Sequence, residues 1–246
     1  MELDTIMQGD CLSIMQSFPD KSVDLILCDL PYGTTACSWD TVIPFEPLWE
    51  QYKRIIKDNA AIVLWGSQPF TTDLINSNRK WFKYEWIWDK YTPTGFLNSK
   101  RQPLKQHENI CIFYTSQPIY NPIMVMKNYN GYRNGKKHKD GIIPPGIYGS
   151  KIKKMGDRSN YRYPKTIISI DGEKGYHPTQ KPVALCEYLI LTYSNEGDLV
   201  LDNACGSGTT CVAAKRLKRH WIGIELEPKY VEIARRRVEQ CQEPMF

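Results

Sequence analysis

Short apolar runs alternate along this chain with longer amphipathic ones, and that alternation restricts the fold more than any other feature. Candidate strands fall at residues 23–28, 60–65, 84–88, 109–114, 199–202 and 221–225, and candidate helices at 45–57, 71–79, 182–193, 209–219 and 229–240. Strands followed by helices of this length build βαβ units, which predicts an α/β fold with a mostly parallel central sheet flanked by helices. Pro182 suits a first helical turn, because its missing N–H would have no partner there. The last two helices carry Lys and Arg toward their C-terminal turns, where the helix dipole favours cations. With 41% hydrophobic residues in 246, the chain has the core of one large domain with an insertion.

Two strand ends carry polar chemistry. Asp29-Leu30-Pro31-Tyr32 closes the run 23–28 and puts an acid, main-chain carbonyls and an aromatic ring at a carboxyl end, the edge where open α/β sheets bind ligands. Late in the chain, Leu199-Val200-Leu201-Asp202 runs into Asn203-Ala204-Cys205-Gly206-Ser207-Gly208-Thr209-Thr210. Gly206 and Gly208 lack the Cβ that would keep a ligand from the backbone, and amides at the following helix start suit an anionic group. Glu225 ends the next strand, 23 residues after Asp202. That is about the spacing at which an acid of a nucleotide-binding βαβ unit accepts hydrogen bonds from ribose hydroxyls. Alone, this junction fits a NAD site as well, and Asp29 and Tyr32 taken singly fit a turn acid and a core aromatic.

Taken together, the two motifs resemble those of the S-adenosylmethionine-dependent amino methyltransferases of DNA, and their order along the chain resembles the β class of that family. Further segments share the likeness: Gly9-Asp10-Cys11, His177-Pro178-Thr179-Gln180-Lys181-Pro182, and Gly223-Ile224-Glu225 followed by Tyr230, Arg235 and Arg237. The resemblance implies a Rossmann-like methyltransferase domain whose catalytic part is residues 1–114 and whose cofactor part is 177–246, with an irregular target-recognition insertion at 115–176. It assigns Asp29, Leu30, Pro31 and Tyr32 to catalysis. S-adenosylmethionine would lie against Asp202, Ala204, Gly206, Gly208 and Thr209 at its methionine portion, Glu225 at its ribose, and Asp10 with Cys11 at its adenine. Thr179, Gln180 and Lys181 would lie near its amino-acid end, although helix capping also explains them. Two positions depart from the commonest family form: Leu30 replaces a proline and keeps the backbone carbonyl, and Ala204 replaces a phenylalanine beside the cofactor. An acid at the first motif position is associated in this family with N6-adenine methylation, and serine with N4-cytosine methylation.

The chemistry accounts for these residue types. The exocyclic amine of adenine is a weak nucleophile because its lone pair is delocalised into the ring. Hydrogen bonds to the Asp29 carboxylate and the Leu30 carbonyl favour a pyramidal nitrogen, and the carboxylate stabilises the positive charge that grows there. Tyr32 would stack on the base, which has to leave the duplex to reach it.

Residues 121–166 hold eleven Lys or Arg against two Asp or Glu, a local balance of +9 that leaves the rest near −4. Such asymmetry suits a polyanion such as double-stranded DNA, and a solvated loop is the plainer explanation of the run by itself. Lys127, Arg133, Lys136, Lys137, Lys139, Lys151, Lys153, Lys154, Arg158, Arg162 and Lys165 are the candidate phosphate contacts. The eight cysteines form no C-x-x-C pair and the four histidines are scattered, which argues against a disulfide or a metal. No stretch approaches the roughly 20 apolar residues of a membrane span, and no signal peptide opens the chain, so a cytoplasmic protein is expected. Several members of the resembled class pair as homodimers or accompany a cognate restriction endonuclease, and the sequence leaves both partners open. The competing functions are N4-cytosine methylation on the same scaffold, a NAD-dependent oxidoreductase, and a DNA-binding module without catalysis.

Overall fold

The computed structural model describes residues 1–34, 40–126, 161–173, 175 and 180–241. In chain order the elements are β1 (Thr5–Gln8), α1 (Cys11–Met15), β2 (Val23–Cys28), α2 (Phe45–Ile55), β3 (Ile56–Gly66), α3 (Phe70–Ser77), β4 (Phe82–Thr94) and a 3-10 turn at Phe96–Asn98. Then come β5 (Lys105–Phe113), β6 (Val125–Met126), β7 (Tyr161–Arg162), β8 (Ile167–Ser169), α4 (Val183–Tyr193), β9 (Leu199–Asp202), α5 (Thr209–Arg216), β10 (His220–Glu225) and α6 (Pro228–Gln240). An 8-stranded sheet has the order β1-β10-β9-β2-β3-β5-β4-β8, and β6 pairs with β7 apart from it. Within the large sheet β5 is antiparallel to both its neighbours and the other pairings are parallel, so it alone runs against the rest. This is the α/β architecture expected from the alternation of apolar runs.

Period-two alternation sends the strand side chains into two cores. Leu25, Leu27, Ala61, Val63, Ile110 and Ile112 face the helices α4, α5 and α6. Ile26, Cys28, Ile62, Leu64, Cys111 and Phe113 face α1, α2 and α3. A bulge between Val23 and Leu25 breaks the alternation at the start of β2. There Asp24 accepts from Lys57 Nζ at 2.6 Å and from the Leu199 N–H at 3.0 Å, joining the entry ends of β2, β3 and β9. Fully buried Trp65, Tyr52, Tyr193 and Phe113 anchor the two layers, each worth about 2 kcal/mol by area removed from water.

The described ends of the segment read as an insertion are built into the body. Ile119 and Asn121 donate their N–H groups to Asn59 O and Thr192 O. At the other end β8 adds in parallel to β4, and Trp88 Nε1 donates to Ile170 O at 2.9 Å. The seven described cysteines are free thiols. No helix among the described residues is long and apolar enough to cross a membrane.

At Gly223 a Cβ would lie 2.6 Å from Ile6 Cδ1, 2.8 Å from Cys211 Sγ and 2.9 Å from Cys205 Sγ. The bare backbone of β10 therefore lets β1 and α5 close onto the sheet. Gly223→Ala is expected to lower stability by about 1–3 kcal/mol through overpacking, read as a lower urea midpoint at unchanged slope.

Candidate active site

The sheet order reverses between β9 and β2: β2 leads through α2 to β3 on one side, and β9 leads through α5 to β10 on the other. Leu25 and Ile26 pair with Val200 and Leu201 across this junction, so the segments after residues 28 and 202 emerge side by side. A crevice at such a reversal is where open α/β sheets bind ligands. Here it is a cavity of about 510 Å³ lined by Asp29, Leu30, Pro31 and Tyr32 on one side and by Asp202 to Ser207 on the other.

Asp29 lies mostly buried at the carboxyl end of β2. One carboxylate oxygen accepts from the Tyr32 hydroxyl at 2.6 Å. The other meets Lys181 Nζ in a close ion pair. Lys181 is 7% exposed and also reaches Glu108 of β5 at 3.3 Å, and Glu108 in turn pairs closely with Lys90 of β4. Burial raises the Asp29 carboxyl above its ordinary range, with Lys181 opposing the rise and Glu108 adding to it. Burial likewise works to raise Glu108, but Lys181 and Lys90 outweigh it and leave its pKa lowered. Burial works against the charged form of Lys181, and its two carboxylate partners hold its pKa up. The Tyr32 ring stacks on Phe70 at 4.8 Å and 27°, and Lys181 Nζ lies 5.9 Å from its centroid.

Opposite this cluster, Glu225 at the end of β10 accepts from the Gly206 N–H at 2.8 Å and the Glu227 N–H at 2.9 Å. Both oxygens are thereby aimed, each with lone-pair capacity left for a hydroxyl donor. Asp10 caps α1 through the Ser13 N–H at 2.8 Å. Asn203 accepts from Tyr52 at 2.5 Å and donates to Cys11 Sγ at 3.6 Å, tying the turn to the α1 side of the cavity. Asp202 is buried beneath the turn, its pKa pushed up to about 6 by burial, against hydrogen bonds from Thr210, Cys28 and the Ala204 N–H. Trp65 lines the same cavity, and its indole N–H is buried with no hydrogen-bond partner among the described residues.

Of the residues singled out in the sequence, Asp10, Cys11, Gln180, Lys181, Asp202, Ala204, Gly206, Thr209 and Glu225 line this cavity together with residues 29–32. Gly208 does not. Its φ is +79°, and a Cβ there would lie 2.9 Å from Ala234 Cβ, so the turn and the close approach of α6 both require this glycine. The resemblance puts Lys181 toward the amino-acid end of a cofactor, whereas its amine meets Asp29. Thr179 and Lys127, Arg133, Lys136, Lys137, Lys139, Lys151, Lys153, Lys154 and Arg158 lie outside the described residues. Arg162 lies in β7 and Lys165 in the exposed stretch before β8. Glu108, Lys90, Lys105, Trp65 and Asn203 are site residues that sequence reasoning misses. Only Asn203 carries a signal, its place within the glycine-rich motif.

A family model described as DNA methylase matches residues 23–236. The type II methyltransferase M.HinfI of Haemophilus influenzae is 28% identical over 98% of this chain and 69% of its own length. The protein TTHA0409 of Thermus thermophilus, in its complex with S-adenosyl-L-methionine, superposes with a TM-score of 0.63 at 24% identity, over 98% of this chain and 95% of that one. The cytosine-N4-specific PvuII DNA methyltransferase superposes with a TM-score of 0.68 at 16% identity, over 94% of this chain and 85% of that one. At these identities the two structures establish a shared fold.

Two buried carboxylates thus share one amine. The raised pKa of Lys181 contributes stability below its ordinary value of 10.5 that is lost as pH rises through its folded value. The lowered pKa of Glu108 contributes stability above 4.5 that is lost as pH falls through its folded value. Asp29, raised above 3.8, has the opposite sign and opposes folding as it ionises. Lys181→Met is expected to cost about 3 kcal/mol at about pH 7.5, because it strands the Asp29 carboxylate and leaves Glu108 with Lys90 alone. The deficit shrinks toward about pH 5 as the carboxylates take up protons instead, and urea unfolding at the two pH values measures it.

Proposed function

The chain belongs to the DNA methylase family whose model spans residues 23–236, and on that footing we propose that it transfers the methyl group of S-adenosylmethionine to the N6 amine of adenine in DNA, on a base turned out of the duplex. One observation carries the reading: an anchored carboxylate, Asp29, faces the cavity beside a backbone turn suited to a nucleoside-bearing cofactor. A volume of about 510 Å³ is within the range of small-molecule sites. The residues present fit the cofactor. Glu225 offers oriented acceptors to ribose hydroxyls, Asp10 and Cys11 border the far end, and Ala204, Gly206 and Thr209 form the wall at its methionine portion. When bound, S-adenosylmethionine supplies an electrophilic methyl carbon whose bond to sulfur breaks, with the electron pair going to sulfur, as the bond to nitrogen forms.

The remaining work falls to this chain. The Asp29 carboxylate accepts a hydrogen bond from the target amine through lone pairs left beside Tyr32 and Lys181. Leu30 lines the cavity while its side chain is buried in the core, so its main chain is what it offers the amine. Positive charge developing on the nitrogen meets the fixed negative charge of Asp29. Tyr32, which lines the cavity and is backed on one face by Phe70, is the aromatic ring the site offers the base. The proton of the methylated amine passes to water after transfer, and no covalent protein intermediate is needed.

In this reading residues 1–114 and 177–246 are the two parts of one catalytic domain, and 115–176 holds the recognition segment whose cations neutralise phosphates. A second copy of the chain and a cognate nuclease are its candidate protein partners. N4-cytosine methylation is the second reading, favoured by the fold shared with the PvuII enzyme. Nucleoside analysis of DNA from cells expressing the chain separates them: N6-methyladenine is expected, and N4-methylcytosine as the only product overturns the adenine assignment.

Asp29→Asn is expected to retain S-adenosylmethionine binding by calorimetry and to lose about 10²–10³-fold in methyl transfer. Because burial raises the Asp29 pKa, the acid limb of the parent's pH–rate profile should have its midpoint above the ordinary aspartate value of 3.8.

A further inference from the structure

The hairpin joining β4 to β5 has no part in the site described so far beyond its base. There Lys90 holds Glu108, and Lys105 lines the cavity and donates to Ser67 Oγ. β4 runs with the parallel strands, so the hairpin's tip projects from the carboxyl edge of the sheet, the edge that carries the cavity. From residue 90 to residue 105 the hairpin holds four Lys or Arg and no Asp or Glu.

The tip is a built turn. Gly95, at φ +86°, opens the 3-10 turn Phe96–Asn98. Asn98 N–H donates to Gly95 O at 2.9 Å, and Arg101 and Gln102 N–H groups donate to Asn98 O at 2.8 and 3.0 Å. Thr94 Oγ1 donates to Lys105 O at 3.2 Å and closes the base. This hydrogen-bonded turn nevertheless presents Phe96 at 78% and Leu97 at 98% exposure, with Lys100 and Arg101 exposed just after them. Two large apolar side chains held in water on a fixed turn forgo hydrophobic stabilisation unless something covers them. The unopposed cations beside them select a polyanion over a protein face of mixed charge.

We propose that Phe96 and Leu97 form a wedge that enters the DNA base stack where the target base leaves it, with Lys100 and Arg101 on the flanking phosphates. The inference rests on the reading of the chain as a base-everting methyltransferase. Eversion opens an apolar gap in the stack, and apolar side chains inserted at such a step offset the lost stacking. Cations on either side neutralise phosphates and give salt-dependent affinity.

The test uses the full chain and two duplexes built on the site mapped by modified-base sequencing, one fully paired and one with the target base opposite an abasic position. Phe96→Ala with Leu97→Ala should lower kcat/KM on the paired duplex by about tenfold or more, and stay within about twofold of the parent on the abasic one, where eversion is already nearly free. Lys100→Ala with Arg101→Ala should weaken binding to both duplexes and flatten the dependence of log K on log salt by about two. Equal loss on both duplexes, or none on either, overturns the wedge. A change in the mass of the DNA-free protein, together with equal loss, assigns the tip instead to contact between copies of the chain and likewise overturns it. A parent that methylates neither duplex refutes the underlying methyltransferase reading, and the wedge falls with it. A parent active on both, with unchanged variant activity, refutes the wedge alone.

Discussion

One ion pair between residues 152 positions apart organises this molecule: Lys181 against Asp29. A carboxylate at the buried end of β2 is unfavourable by several kcal/mol once taken out of water. Two unit charges at about 4 Å recover about 4 kcal/mol at the effective dielectric of such sites. The pair alone therefore only breaks even, and the surrounding hydrogen bonds decide the outcome. Tyr32 donates to the second oxygen of Asp29, Glu108 takes a share of Lys181, and Lys90 holds Glu108. The chain of charges runs from β2 through the entry to α4 to β5 and β4. It ties together, at one edge of the sheet, segments that strand pairing alone would join loosely. Loss of Lys181 leaves Asp29 without a cation and Glu108 with Lys90 alone, so Lys181 is the member the cluster turns on.

Where that unit sits follows from strand order. β2 and β9 are neighbours although some 170 residues separate them, and each turns away from the other into its own helix. The gap between the diverging connections is the cavity. The cofactor-type turn and the Asp29 motif face each other because the backbone at both strand ends has nowhere else to go. β1 then closes the far side by pairing with β10, which brings Asp10 and Cys11 to the same edge.

The strand–helix alternation, both motifs and their convergence are legible in the sequence, because each depends on local pattern: an apolar run, a glycine pair, an acid at a strand end. What stays concealed depends on pairing at a distance. Glu108 stands one residue outside the apolar run 109–114 and reads as an ordinary polar flank; only the neighbouring β4 and the entry to α4 give it two lysines. Lys181 reads as part of a ligand-binding run because its partner lies at residue 29. Gly208 shows a constraint the motif hides: Ala234, from a helix 26 residues onward, occupies the space a Cβ there would take. β8 is hidden by composition: Ile167, Ile168 and Ile170 form a β-branched run, but the basic, turn-rich stretch before it masks the pattern. β1, only four residues long, gives too short an alternation to stand out.

Lys181 also poses an electrostatic problem that the cluster resolves. Methylation of a neutral amine leaves positive charge on its nitrogen, and a bare ammonium touching the same carboxylate would oppose that charge as strongly as Asp29 favours it. Glu108 removes most of the conflict. Lying 3.3 Å from Lys181, it draws part of the ammonium's field into a second buried carboxylate, and Lys90 favours the ionised form of that carboxylate. The amine of Lys181 then fixes Asp29 and favours its ionised form, while part of its charge is met by Glu108. A site with Lys181 but without Glu108 would leave the whole ammonium charge beside Asp29. The charge around Asp29 is thus set in part by the pairing of β5 with β4, beyond the four residues of the motif, and on the proposed reading that pairing tunes the carboxylate that meets the amine.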